Sequence, residues 1–287
     1  MLRKCTDEEF YRYADFVYEL ALDRSRSGYP TYTDGIKTKE MFIERSEKGL
    51  KRDTEEIVLF EHEGTVEGWI HYYWLPEDNY IATTGFYIAE HTEEAMEQFI
   101  ELVKDRFSGY DLYLGFSTDN QKAVGYLSDH GFECIENSFN NTLYVDKYQK
   151  AEHVNDVIRI SENNYELFRW VHSQIDGDMY WNSDRILDDI DDWMLLVKLR
   201  DRQPVGAIYY TGLHDDDKWC EIFGLDIDND VFDEEIFNDL MGQALNTVKD
   251  NGGIYVTMFC ERREQEHVGK FGFECIGEYV CYKKHVD

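Results

Sequence analysis

Residues 131–135 and 272–276 spell the same five letters, GFECI, 141 positions apart in a chain of 287. A word repeated at half the chain length constrains the chain to fold one plan twice, provided its surroundings repeat as well. They do. "IVLFEHEGTVEGWIHYYWL" (57–75) falls on "LLVKLRDRQPVGAIYYTGL" (195–213), with Gly68 on Gly206 and a turn signal before each glycine. Both stretches read as strand, turn, strand. "YIATTGFYIA" (80–89) then falls on "WCEIFGLDID" (219–228) as a further strand. Amphipathic helices follow at 92–107 and 233–250. Ala95, Phe99, Leu102 and Val103 recur at helical spacing in the first, and Ile236, Leu240, Ala244, Leu245 and Val248 in the second. Gly109 and Gly252-Gly253 end them. A strand (110–117 and 253–260), a short helix, GFECI and a closing strand complete each half, and each half opens on a helix, 7–22 and 163–175.

The repeat predicts two domains, 1–149 and 153–287, joined at the polar stretch Gln149–Val154, which contains neither Pro nor Gly. A chain of this length has room for two cores. The element order predicts an α/β (α+β) architecture in each: a mixed sheet flanked by helices.

The net charge is −31, the apolar fraction 43% and the aromatic fraction 15%. The aromatics argue against disorder. The charge makes nucleic acid and anionic membrane poor partners, since both need clustered Lys and Arg. It reads first as a solvated acidic surface that keeps the protein soluble, and as a functional feature it is a field that attracts cationic ligands. "MLRKCTDEEF" has no apolar signal region, and no window reaches the roughly 18 apolar residues of a membrane span. Cys5, Cys134, Cys220, Cys260, Cys275 and Cys281 form no CxxC pair. Several sit in apolar runs, which reads as small buried hydrophobes in a reducing compartment. The expected location is cytoplasmic.

The element order of each half resembles the GNAT acetyltransferase superfamily, so the chain resembles a tandem GNAT protein over nearly its full length. The best local match is Asn120, Ala123, Gly131 and Phe132, which fit an Asn, Ala at plus three, and Gly-Phe at plus eleven and twelve. Lys122 stands where the family often has a basic residue, and Arg263 stands at that place in the second half, where Gly272 and Phe273 also match. The resemblance implies a sheet splayed between its fourth and fifth strands, with acetyl-CoA in the splay. It assigns the backbone of Tyr87 and Ile88, with Asn120, Lys122 and Arg263, to the cofactor. The family places its general-acid Tyr at plus seven, which is Leu127 here, with Tyr126 one residue early. It also places a base on the fourth strand, where the second half has Glu221 and Asp226. They differ by five, which in a regular strand puts them on opposite faces.

The family's glycine-rich diphosphate loop should lie in "AEHTEEA" (89–95) and "VFDEEIF" (231–237), and neither contains a glycine. Glycines there let backbone N–H groups and a helix N-terminus cradle phosphate. Glu90, Glu93 and Glu94 crowd the first loop, and Asp233, Glu234 and Glu235 the second. Each carboxylate about 5 Å from a phosphate charge costs about 3 kcal/mol before screening. Two functions stay open: an N-acyltransferase moving an acetyl group to a small cationic amine, and a catalytically silent scaffold binding a ligand or another protein.

Other patterns are weaker. Asp226, Asp228 and Asp230 have EF-hand spacing, but places six and twelve hold Val231 and Phe237 instead of Gly and Glu, so the stretch reads as a solvated turn. The nine histidines show no metal-binding motif, so no metal is expected. Isolated ones such as His71 and His130 read as structural, "DDIDDW" (188–193) as a helix end facing water, and "GWIHYYWL" (68–75) as a sheet with one core face.

Overall fold

The computed structural model describes residues 1–28, 31–177, 180–213, 218–227 and 231–287. The first half runs β1 (Leu2–Lys4), α1 (Asp7–Ala21), α2 (Lys39–Leu50), β2 (Glu55–His62), β3 (Thr65–Leu75), β4 (Tyr80–Ile88), α3 (Thr92–Arg106), β5 (Asp111–Ser117), α4 (Gln121–Asp129) and β6 (Glu133–Tyr144). The second runs β7 (Val157–Arg159), α5 (Glu166–His172), α6 (Ser183–Asp188), β8 (Trp193–Arg200), β9 (Gln203–Thr211), β10 (Trp219–Ile227), α7 (Glu234–Asp250), β11 (Tyr255–Cys260), α8 (Arg262–Val268) and β12 (Glu274–His285). The strands and long helices read from the repeat are all present. The separate helices α2 and α6 have no counterpart in that reading.

Two compact units form, Met1–Ser138 with Ile276–Asp287, and Phe139–Cys275. The repeated halves of the sequence divide at 149–153 instead. The difference lies in the closing strands. In unit 1, β5 pairs antiparallel with Tyr279–His285 of β12. In unit 2, β11 pairs antiparallel with Phe139–Tyr144 of β6. Each half therefore supplies the last strand of the other unit.

In unit 1, α1 begins at a capping box: the Thr6 hydroxyl accepts the Glu9 N–H and the Glu9 carboxylate accepts the Thr6 N–H. Its buried stripe of Phe10, Ala14, Val17 and Ala21 packs with Phe42, Ile57, Leu59, Trp69 and Tyr87 on one sheet face. Trp69 stacks between Phe10 and Phe42. Met96, Phe99 and Val103 of α3 cover the other face, against Val58, Phe60, Tyr72 and Phe86. "GWIHYYWL" is thus core on both faces. Unit 2 repeats the arrangement with α7 over Leu196, Ile208, Tyr210 and Ile222, and α5 under Leu195, Val197, Ala207 and Tyr209.

GFECI is conserved between the halves for one buried side chain and one turn. Gly131 and Gly272 have φ of 72° and 92°, and Phe132 and Phe273 are buried. Cys134 and Cys275 are exposed, contrary to the sequence expectation, while the other four cysteines are buried. "DDIDDW" closes α6 and enters a short 3-10 turn, with Asp188, Asp189, Asp191 and Asp192 all exposed.

The aligned glycines Gly68 and Gly206 differ in tolerance. At Gly68, φ is +152° and an added Cβ would lie 1.8 Å from the Tyr87 carbonyl oxygen. At Gly206, where φ is not positive, it would meet side-chain methyls first, Ile236 Cγ2 at 2.5 Å and Leu240 Cδ1 at 3.1 Å. Gly68→Ala is expected to cost roughly 2–3 kcal/mol, and Gly206→Ala about 1 kcal/mol. Urea midpoints of the two variants check this; equal losses would contradict it.

Unit 1 also holds a buried charge cluster. The Glu55 carboxylate lies 2.7 Å from Arg45, 2.8 Å from His71 Nε2 and 3.1 Å from Arg52. Burial pushes the Glu55 pKa up, but His71 and Arg45 outweigh it and bring it down to about 2. A depressed carboxyl stabilises the fold above its unfolded value and loses that contribution as pH falls through the folded one. Between pH 4.5 and 2 the wild type should lose about 3 kcal/mol that Glu55→Gln does not lose. Thermal melts across that window measure it; parallel curves for the two proteins would rule it out.

Candidate active site

Each fourth strand carries a bulge. In β4, Gly85 faces His71 and Thr83 faces Tyr72, leaving Thr84 unpaired. In β10, Gly224 faces Tyr209 and Ile222 faces Tyr210, leaving Phe223 unpaired. A bulge flips the alternation beyond it. Ile222 opposite Tyr210 puts Glu221 beside Thr211, whose hydroxyl accepts the Glu221 N–H at 3.1 Å, and Asp226 lies opposite Ala207. Thr211 and Ala207 are four apart on β9, so Glu221 and Asp226 share the α5 face. This corrects the opposite-face expectation, which assumed a regular strand.

Both fourth strands then leave the fifth. In unit 1, parallel pairing covers Tyr80–Ala82 with Asp111–Tyr113 and stops. In unit 2 it covers Trp219–Ile222 with Tyr255–Met258 and stops. What fills the two openings differs.

The opening in unit 1 holds the chain's own residues 26–28. The Arg26 carbonyl accepts the Ile88 N–H at 3.2 Å, and the Ser27 carbonyl accepts the Asn120 side-chain N–H at 3.0 Å. A Cβ on Gly28 would lie 3.0 Å from Phe86 N and 3.4 Å from Gly115 O, so Gly28 sits between the two strands. Arg24 pairs with Asp119 at 2.9 Å and steadies the segment. Outside it, a cavity of about 870 Å³ lies at the start of α3, lined by Arg26, His91, Glu93, Glu94, Asp119 and Lys122. His91 precedes α3 with φ 52° and no side-chain cap. Its ring stacks on His62 at 3.8 Å, and its Nδ1 lies 2.9 Å from Glu67. The bond to Glu67 raises its pKa.

The opening in unit 2 gathers ionisable groups. Asp226 Oδ2 lies 2.7 Å from His172 Nδ1, and His172 Nε2 donates to the Trp181 carbonyl at 2.8 Å. Burial raises the Asp226 pKa against the pull of His172. Burial opposes protonation of His172, yet its bonds to Asp226 and Trp181 outweigh this and raise its pKa. The Trp181 carbonyl only accepts, so Nε2 carries a hydrogen and one further proton is held between His172 and Asp226. Glu264, in the first turn of α8, is buried, and its pKa is raised to about 7 by burial, with Asp226 and Glu261 adding to the effect. Its carboxylate accepts the Glu261 N–H at 3.1 Å. Tyr209, fully buried on the same face as Asp226, is acted on by both Asp226 and Glu264.

No family model matches the sequence, and no curated protein does. Solved structures do match. A GCN5-related N-acetyltransferase from Sphaerobacter thermophilus superimposes with a TM-score of 0.68 at 12% identity, covering 100% of this chain and 95% of that one. A tandem GNAT protein from the clavulanic acid biosynthesis pathway superimposes at 0.60 and 8% identity, covering 100% and 98%. A functionally unknown conserved protein from Staphylococcus epidermidis gives 0.56 at 16% identity, covering 76% and 91%. The chain has a tandem GNAT fold.

The GNAT fold implies acetyl-CoA, and its fit can be tested on these residues. In unit 1 the backbone edge at Ile88 is taken by Arg26, and Gly28 occupies the gap the pantetheine arm would need. In unit 2 the Asp233 carboxylate already accepts the Glu235 and Ile236 N–H groups at 3.0 and 3.2 Å, the amides that would otherwise meet a diphosphate. Neither GNAT unit fits the cofactor in the usual pose.

The residues singled out in the sequence fall as follows. Tyr87 and Ile88 are buried, Tyr87 against Phe42. Asn120 is the N-cap of α4, accepting the Ala123 N–H at 3.2 Å and holding Ser27. Lys122 lines the cavity at α3. Arg263 pairs with Glu261 at 3.1 Å and stands 3.9 Å from Glu264. Tyr126 stacks on His130 at 3.8 Å, while Leu127 is buried in the core. Asp226 joins the second opening. His172, Tyr209 and Glu264 are not marked by any motif in the sequence; Glu264 stands three residues after Glu261, the spacing that separates Ala123 from Asn120 in the first half. The calcium reading rests on Asp228 and Asp230, which lie outside the described residues. Among the described residues no group of three or more His, Cys, Asp and Glu side chains is placed to hold a metal, and no helix is long and apolar enough to cross a membrane.

Proposed function

We propose that the protein is an N-acyltransferase whose chemistry is confined to unit 2 and whose acceptor is a small cationic amine. The observation that carries this reading is the meeting of Asp226, His172, Tyr209 and Glu264 where β10 leaves β11. An ammonium must lose a proton before its nitrogen can attack an acyl carbon. Glu264, poised near neutrality, is the group that takes it. Asp226 is held in place by His172, which is itself fixed through the Trp181 carbonyl. Glu221 on the same face and the charge of −31 favour a cationic acceptor. Unit 1, with its opening filled by residues 26–28, is the scaffold.

A second reading, a silent GNAT scaffold, is favoured by one specific feature of each unit: Gly28 between β4 and β5, and Asp233 on the α7 amides. Calorimetry with acetyl-CoA and a thiol-release assay over a panel of small amines and diamines separate the two. The transferase reading expects weak binding, with Kd on the order of 1 mM, and amine-dependent thiol release. Absence of both heat and release leaves the scaffold reading.

A further inference from the structure

The repeat permits a comparison on the α7 face of the second sheet, the face opposite Asp226. In unit 1, β2 and β3 set Glu56 across from Tyr72. The Tyr72 hydroxyl donates to Glu56 Oε2 at 2.5 Å, Arg106 donates to the same oxygen at 2.6 Å, and Lys4 Nζ stands 3.2 Å from Oε1. In unit 2 the same register sets Met194 across from Tyr210. Arg159, opposite Leu196, stands where Lys4 stands opposite Val58. The tyrosine and a cation are kept, and the carboxylate between them is gone.

A cavity of about 380 Å³ lies there, lined by Arg159, Met194, Tyr210, Leu213, Cys220 and Val248 among others. Tyr210 is 2% exposed, and its hydroxyl makes no hydrogen bond. The Thr247 hydroxyl is near enough to act on it, but not in bonding geometry, and donates its own proton to the Gln243 carbonyl at 2.8 Å. A buried hydroxyl without a partner costs about 1–3 kcal/mol. Among the described residues the Arg159 guanidinium donates to the Met194 sulfur, at 3.4 Å, and forms no ion pair. Lys249, near the end of α7, is turned to the Val145 and Tyr148 carbonyls.

We propose that this hollow binds a small monocarboxylate with an apolar body. Its carboxylate takes the place that Glu56 fills in unit 1, accepting the Tyr210 proton and pairing with Arg159. Its hydrocarbon part lies against Leu213, Cys220 and Val248. The volume falls in the range of small-molecule sites. The site is independent of the proposed acyl transfer, being on the other face of the sheet.

Calorimetry of the full chain with hexanoate and with hexanamide tests this. Hexanoate should bind at least tenfold more tightly than the amide, and Arg159→Met and Tyr210→Phe should each weaken it roughly five- to tenfold. Met194→Glu, which restores the carboxylate of unit 1, should abolish binding and raise the melting temperature. Equal affinity for acid and amide would overturn the proposal. So would no hexanoate heat up to about 20 mM, or unchanged affinity in Arg159→Met, whose side chain is exposed and whose loss leaves the core intact.

Discussion

Lys198→Met should lose about 3–5 kcal/mol of stability, the largest effect expected of any single change in unit 2. Lys198 is 2% exposed in β8, with its ammonium 2.6 Å from Asp239 of α7 and donating to the Asn155 carbonyl at 2.8 Å. Removing it strands the Asp239 carboxylate, itself buried, beneath α7. Removing one partner of a buried pair costs far more than removing both, because the survivor has lost its water and its counter-charge. Lys198→Met with Asp239→Leu should therefore recover most of the loss. The repeat supports this: the equivalent residue of unit 1, opposite Gly68 as Lys198 is opposite Gly206, is Phe60, fully buried. Thermal unfolding of the four proteins gives the coupling directly. A single variant within about 1 kcal/mol of wild type would show the pair to be unimportant.

Glu264→Gln should lower kcat/KM for the amine substrate by roughly 10²-fold or more, the usual weight of a general base. The wild-type rate should rise with pH through about 7, as the Glu264 carboxyl ionises. The variant should be slow with no step there. Stability should move the other way. A carboxyl raised from 4.5 to about 7 holds its proton in the fold longer than in the unfolded chain, so its contribution is full below pH 4.5 and declines up to about 7. At pH 8 the neutral glutamine should be the more stable protein by about 2–3 kcal/mol. Lost activity in a stabilised protein is a result that simple misfolding cannot give. Unchanged turnover in Glu264→Gln would remove Glu264 from the reaction.

The sequence is most legible where one residue's character is enough. Phe132 and Phe273 had to be buried, and Gly131 and Gly272 had to turn, because a large apolar ring and a positive φ leave few alternatives. The exposed Cys134 and Cys275 were misjudged because cysteine is content in either setting. Glu221 and Asp226 were separated by a rule of alternation that one extra residue, Phe223, overturned. No local pattern announces a bulge of that kind in "WCEIFGLDID".

By itself the sequence determined a doubled plan, its strand and helix order, and the absence of a glycine cradle in either half. These depend on spacing along the chain, which folding does not change. The tertiary structure alone decided that residues 26–28 fill the first opening, that His172 and Glu264 join Asp226 at the second, and that Tyr210 lacks the carboxylate Tyr72 has. Each brings together groups from separate elements, and their burial, their protonation and their partners exist only once those elements have met.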